Sequence, residues 1–171
     1  MKNIVLIGFA GCGKTTTGRI AAKKLHMRFF DCDREIEKKC GCSIADIFAA
    51  QGAAAFRVLE SEMLTHLMTK KNSIISTGGG CVTVERNKHI LKQNGHIIYL
   101  RSSPERIFKN IGNDTTRPLL QTEDKLGAIR EMMAARAPLY EAFSDTTIDI
   151  SGFAREGTIA ALVETIRRLP R

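Results

Sequence analysis

The segment Gly8-Phe9-Ala10-Gly11-Cys12-Gly13-Lys14-Thr15 constrains this chain more than any other. It is a full G-x-x-x-x-G-K-T match that follows the apolar run Ile4-Val5-Leu6-Ile7 and opens a stretch of helical spacing from Lys14 to Leu25. A strand, a glycine-rich turn and a helix in that order aim backbone N–H groups and a helix N-terminus at one point, which attracts anionic oxygens. Side chains in the turn would block that approach. The loop and helix start, Gly11, Cys12, Gly13, Lys14, Thr15 and Thr16, form the expected cradle. Lys14 adds a point charge for β and γ phosphates, and the Thr15 hydroxyl is placed to ligate Mg²⁺. A chance match should occur in under about one per cent of chains this size at average composition. Nucleotide binding is the expectation, with a purely structural glycine turn as the alternative.

The rest of the chain alternates β-branched apolar runs with amphipathic stretches, the pattern of βαβ units and a parallel sheet. Strands are predicted at Asn3–Ile7, Arg28–Phe30, Ser73–Ser76, His96–Leu100 and Thr146–Asp149. The first and fourth read as continuously apolar, so they belong at the centre, buried on both faces. Helices are expected over Lys14–Leu25, Arg34–Cys40, Ser43 to about Ala50, Ala54–Met68, Val84–Lys92, Pro104–Lys109, Thr122–Arg136 and Arg155–Leu169, with Gly52 breaking the chain. The aperiodic, polar stretch from Asn110 to Thr116 reads as a mobile loop. At 171 residues one domain is expected.

Lys+Arg 26 against Asp+Glu 18 gives a net charge of +8, which favours an anionic partner. The chain lacks the interleaved basic and aromatic residues of single-strand binders, so nucleic acid is not expected. Its apolar runs fall short of the roughly 18 residues that span a bilayer, and no membrane partner is expected. The five cysteines, Cys12, Cys32, Cys40, Cys42 and Cys81, include no C-x-x-C pair and suggest neither a disulfide framework nor a zinc site. A reduced, cytoplasmic setting follows.

Carboxylates gather where the second strand ends, in Asp31-Cys32-Asp33. If the strand continues through them, residues two apart face one side, at the edge that borders the ligand crevice of an open α/β sheet. Beside a polyphosphate, one acid suits Mg²⁺ and the other an acceptor alcohol. The simpler alternative is that both cap the following helix. Gly78-Gly79-Gly80 follows the third strand and could present backbone N–H groups to a substrate, or form only a tight turn.

Taken together, these residues resemble the shikimate kinase family along nearly the whole chain. The resemblance is carried by the phosphate loop, Asp31-Cys32-Asp33, Ser43-Ile44-Ala45-Asp46-Ile47-Phe48, Phe56-Arg57 with Glu60, Ser76-Thr77-Gly78-Gly79-Gly80, Thr116-Arg117-Pro118-Leu119-Leu120, and Arg136-Ala137-Pro138-Leu139-Tyr140. It implies a three-layer P-loop NTPase fold of α/β class, with a five-stranded parallel sheet flanked by helices and a mobile lid at about 110–124. It also implies MgATP-dependent phosphorylation of the shikimate 3-hydroxyl by a monomer. By this resemblance Thr15 and Asp31 hold Mg²⁺, while Asp33 binds the substrate hydroxyls and accepts the proton. Arg57 and Arg136 hold the substrate carboxylate, and Gly79 and Gly80 lie near its hydroxyls. Arg117 closes on the phosphates with the lid, and Lys109 covers the adenine. A region at about 31–62 forms the substrate-binding helices.

Alternatives stand beside these roles. Arg57 could only pair with Glu60 or Ser61 along its helix, and Arg136 could only offset a helix C-terminus. Where the family often has Glu, this chain has Ala53, which removes one carboxylate that could orient Arg57. A related kinase with a different hydroxyl acceptor and a non-catalytic nucleotide-binding module are the competing functions. Tyr140, Phe56, Met132 and Met133 read as core. Cys12, Cys32 and Cys81 lie in or beside ligand-binding segments: either they are simply small residues that fill tight turns, or bound nucleotide protects them from thiol reagents.

Overall fold

A computed structural model describes residues 2–115, 117 and 120–170. Thr116, Pro118 and Leu119 of the expected lid lie outside the described residues. Five strands, β1 (Asn3–Ile7), β2 (Arg28–Asp31), β3 (Ser73–Ser76), β4 (Gly95–Arg101) and β5 (Thr146–Asp149), form one sheet in the order β2-β3-β1-β4-β5. Every pairing is parallel, with Ile4 opposite Ile74 on one side and His96 on the other. The helices are α1 (Lys14–Lys24), α2 (Cys32–Cys40), α3 (Ile44–Met68), α4 (Glu85–Asn94), α5 (Pro104–Ile111), α6 (Lys125–Phe143) and α7 (Arg155–Arg168).

Strand alternation sorts the core onto the two faces of the sheet. Ile4, Leu6, Ile98 and Leu100 pack with α1, α5 and α7 through residues such as Ala21, Ile107 and Leu162. Val5, Ile7, Ile97 and Tyr99 face the other way, toward Leu64, Leu67, Leu91, Tyr140 and Phe143 of α3, α4 and α6. The expected three layers and the central place of β1 and β4 are thus present. Because β1 lies between β3 and β4, the chain leaves its C-terminal edge toward both sides and opens a crevice there.

Two local expectations are corrected and a third is met. The helix after β2 begins at Cys32, not Arg34, because Asp31 serves as its N-cap and accepts from Arg34 N at 3.2 Å. Asp33 therefore lies on a first helical turn and not on an extended strand, so strand alternation does not explain its direction. Helix α6 starts at Lys125, where Asp124 accepts from Gly127 N at 2.9 Å, and runs past Arg136 to Phe143 with Pro138 inside it. A proline there frees the Ala134 carbonyl, but Ala134 is exposed to water, while Tyr140 and Phe143 anchor the continuation in the core. The expected break at Gly52 is present: α3 is two helices that meet at a kink, with φ 82 and ψ 173 at a residue that tolerates positive φ. The second half of that helix starts afresh from the bend, while the first is launched by a reciprocal cap between Ser43 and Asp46.

Candidate active site

The phosphate loop joins β1 to α1 and depends on backbone that only glycine takes easily, with φ 79 at Gly11 and φ 92 at Gly13. Lys14 is buried and turns back over its own loop, donating to the carbonyls of Gly8 at 2.7 Å and Phe9 at 3.0 Å. The loop is braced from α5, where Asn110 Nδ2 donates to the Gly11 carbonyl at 2.8 Å. Thr15 lies in the first turn of α1 and donates its hydroxyl to Asp31 Oδ2, and Thr16 beside it is exposed. Asp31 therefore both caps α2 and reaches across to α1.

Next to the loop lies a cavity of about 440 Å³, bounded by Phe9 and Ala10, Asp33, Arg57, Glu60, Gly78 to Gly80, Arg117 and Arg136. Phe48, Phe56 and Met132 supply apolar wall. Thus Phe56 and Met132, expected as core alone, also face the site. Asp33 Oδ1 and Glu60 Oε2 are buried without a hydrogen-bond partner. Both are aimed at the same place, since a Cβ on Gly78 would lie 3.0 Å from the first and 2.8 Å from the second. Burial, helped by the charge of Asp31, pushes the Asp33 carboxyl up to about 6, while Lys14, Arg117 and Arg57 pull the other way. Burial also raises Glu60, with Arg57 opposing it.

Arg57 Nη1 meets Glu60 Oε1 at 2.8 Å, and the Glu60 side chain is fully shielded from solvent. The pairing weighed as an alternative is real, yet it does not remove Arg57 from the site: it fixes the guanidinium at the cavity wall. Glu60 thereby supplies an orienting carboxylate despite Ala53. The triple glycine is a close-packed junction. A Cβ on Gly79 would lie 2.9 Å from Ala10 N, and one on Gly80 would fall 2.1 Å from Arg57 Nη2. Arg136 stands over the Phe9 ring, 5.7 Å from its centroid, and lies well inside α6, so it is not a C-terminal dipole partner. Arg117 lines the cavity and pairs with Asp114 at 3.1 Å.

The structure thus brings Asp33, Arg57, Gly79, Gly80, Arg117 and Arg136 to one cavity, with Lys14, Thr15 and Asp31 on the adjoining loop side. Lys109 does not join them; it is exposed on the last turn of α5. Sequence reasoning passed over Glu60 as a site group, although the Arg-x-x-Glu spacing signals the pair. It also passed over Asn110, whose contact with Gly11 spans the chain and leaves no local trace. Cys12, Cys32 and Cys81 are buried without any ligand, as small residues that fill tight turns are, whereas Cys40 and Cys42 are exposed. Burial pushes the Cys32 thiol well up and Cys81 to about 12, so both are protonated and unreactive. Among the described residues no group of three or more His, Cys, Asp or Glu side chains could hold a metal ion.

The family model for shikimate kinase matches residues 10–167. A shikimate kinase of Thermodesulfovibrio yellowstonii is 43% identical over 169 residues, covering 99% of this chain and 97% of that protein. One from Hahella chejuensis is 39% identical over 166 residues, covering 97% and 86%. Among solved structures, the shikimate kinase from Acinetobacter baumannii in complex with shikimate superposes with a TM-score of 0.93 at 35% identity, over 99% of this chain and 96% of that one. The Aquifex aeolicus shikimate kinase gives 0.81 at 31% identity over 96% of each. With Lys14, Thr15, Asp33, Arg57 and Arg136 all inside the span that the family model matches, and with relatives and solved structures of the same family aligned over nearly the whole chain, the chain belongs to the shikimate kinase family.

Proposed function

We propose that this protein transfers the γ-phosphoryl group of MgATP to the 3-hydroxyl of shikimate, giving shikimate 3-phosphate and ADP. The observation that carries the reading is one cavity with a free carboxylate oxygen of Asp33 near the phosphate loop and two guanidinium groups, Arg57 and Arg136, in its wall. Shikimate is a carboxylate with vicinal hydroxyls, and this donor and acceptor set complements it. Arg57 and Arg136 hold the substrate carboxylate, while Gly79 and Gly80 border its hydroxyls. Asp33 accepts the proton as the hydroxyl oxygen bonds to the γ-phosphorus and the bridging oxygen leaves with ADP.

The loop side suits the nucleotide. Backbone N–H groups from Gly11 to Thr16 face its phosphates, and Lys14 and Arg117 offset charge on the transferring group. Thr15 and Asp31 already share a hydrogen bond, so two oxygen donors stand together, which fits Mg²⁺, a cation that keeps water and phosphate oxygens as its other ligands. When bound, Mg²⁺ would neutralise charge on the β and γ oxygens. Lys109 lies near the base of the lid segment, about 110–124, which closes over the nucleotide and excludes water as a competing acceptor. The chain is read as one kinase domain that acts as a monomer. Its free thiols and use of ATP support a cytoplasmic setting.

A coupled ADP-release assay comparing shikimate with gluconate, nucleoside monophosphates and water tests the reading. Turnover that depends on shikimate is expected; turnover with gluconate or a nucleotide alone would replace the acceptor, and none with any would leave only nucleotide binding.

A further inference from the structure

We infer that Tyr140 is a positioning residue, whose hydroxyl pins the Gly79–Gly80 peptide with the Gly80 N–H turned toward the cavity. The inference rests on the proposed reaction for what the N–H contacts, namely an oxygen of the acceptor's hydroxyl groups.

Tyr140 has the look of a core side chain: it is 1% exposed, and its ring stacks on Tyr99 at 5.0 Å between centroids. Its hydroxyl, however, donates to the Gly79 carbonyl. In a planar trans peptide the C=O and the following N–H point in opposite directions. Holding the Gly79 oxygen against α6 therefore turns the Gly80 N–H away from α6. That N–H has no hydrogen-bond partner among the described residues, and Gly80 lines the cavity.

Neighbouring carbonyls are held in the same manner. Thr83 Oγ1 donates to the Gly80 oxygen at 2.7 Å, and Asn87 Nδ2 donates to the Cys81 oxygen at 2.8 Å. Asn87 is fully buried and is itself fixed by Ser61, whose hydroxyl donates to Asn87 Oδ1 at 2.7 Å. Three consecutive carbonyls are thus secured by side chains behind the turn. The Gly79–Gly80 peptide needs such an anchor most, because neither flanking residue has a Cβ to resist rotation. Arg136 lies one turn earlier on α6 and lines the same cavity.

Tyr140→Phe keeps the ring and its stacking but removes the anchor. Loss of a single hydrogen bond predicts a rise in shikimate KM of roughly five- to tenfold, with the MgATP KM within about twofold and the thermal midpoint lower by a few degrees, about 2–4 °C per kcal/mol lost. In the ligand-free protein the ¹⁵N–¹H resonance of Gly80 should also move, whereas Tyr99→Phe should leave that resonance and both KM values as they are. An unchanged shikimate KM, an equal rise in both KM values, or the same effect from Tyr99→Phe would overturn the inference. If the wild-type chain does not turn over shikimate, the proposed reaction fails by itself. The Gly80 resonance of ligand-free Tyr140→Phe then decides the orientation of the peptide: a shift upholds the anchor and none overturns it.

Discussion

Asp33 is an acid placed where its neutral form is favoured, yet one whose ionised form the proposed chemistry needs. With its carboxyl at about 6, it is mostly ionised at neutral pH and still basic enough to take a proton. The acidic limb of kcat/KM against pH should therefore fall near pH 6. Asp33→Asn should lower kcat by roughly 10²- to 10³-fold and abolish that limb; a limb near pH 4 in the wild type would show that Asp33 is not the group. The same burial has a stability cost of opposite sign. A carboxyl raised from 3.8 to about 6 stabilises the fold fully below pH 3.8, and the contribution disappears as pH rises through 6. Urea unfolding at pH 8 should find Asp33→Asn more stable than wild type by roughly 2–3 kcal/mol, with the gap closing toward pH 4. Lys14→Ala should likewise remove most turnover, by roughly 10²-fold or more in kcat. The pair Asp31 and Asp33 was legible as residues beside a phosphate loop, but not in its geometry. With Asp31 capping a helix that begins at Cys32, the strand ends two residues short of Asp33, where the alternation argument needed it to reach.

Among the elements, the turn after β3 carries the sharpest contrast. Gly79 and Gly80 are adjacent, but their missing side chains leave room for different things: the backbone of the phosphate loop at Ala10, and the guanidinium of Arg57. Gly79→Ala must separate two backbones, so a stability loss of roughly 1–3 kcal/mol and higher KM values for both substrates are expected. Gly80→Ala can be accommodated by moving the far end of one flexible side chain. Its expected signature is a shikimate KM raised about tenfold or more, equivalent to roughly 1.4 kcal/mol, with the MgATP KM unchanged. Equal kinetic effects from the two variants would contradict this packing. Steady-state kinetics with melting curves separates the cases. Strands and most helices were legible because buried apolar runs and caps are local. The extension of α6 through Pro138 was not, since it depends on Tyr140 and Phe143 being anchored by the distant β4 and its neighbours. Glu60 was visible only as a helix spacing. Its burial beneath the triple glycine, which makes it a partner for Arg57 and a neighbour of Asp33, is a product of tertiary packing.

At the scale of the molecule, the sheet order places the loop after β1, the acids after β2 and the glycines after β3 along one edge. The net charge of +8 accordingly includes a local concentration, Lys14, Arg57, Arg117 and Arg136 against Asp31, Asp33 and Glu60, suited to small anions in a cleft. The same close packing governs the five thiols. Cys12 and Cys32 sit where the loop and α2 leave the sheet, and Cys81 lies beneath the glycine turn; all three are sealed in the core, whereas Cys40 and Cys42 flank the exposed corner between α2 and α3. A thiol reagent added to the native protein should therefore modify Cys40 and Cys42 rapidly and the other three only through opening of the fold. Peptide mapping after timed labelling checks this directly. MgATP and shikimate at about 100 times their dissociation constants should slow labelling of a buried thiol whose exposure requires release of ligand by about 100-fold for one such ligand, the equivalent of roughly 2.7 kcal/mol. The rates at Cys40 and Cys42 should stay unchanged. Fast labelling of Cys12, Cys32 or Cys81 in the ligand-free protein would contradict the packing of the crevice floor, because their protection belongs to the fold before any nucleotide arrives.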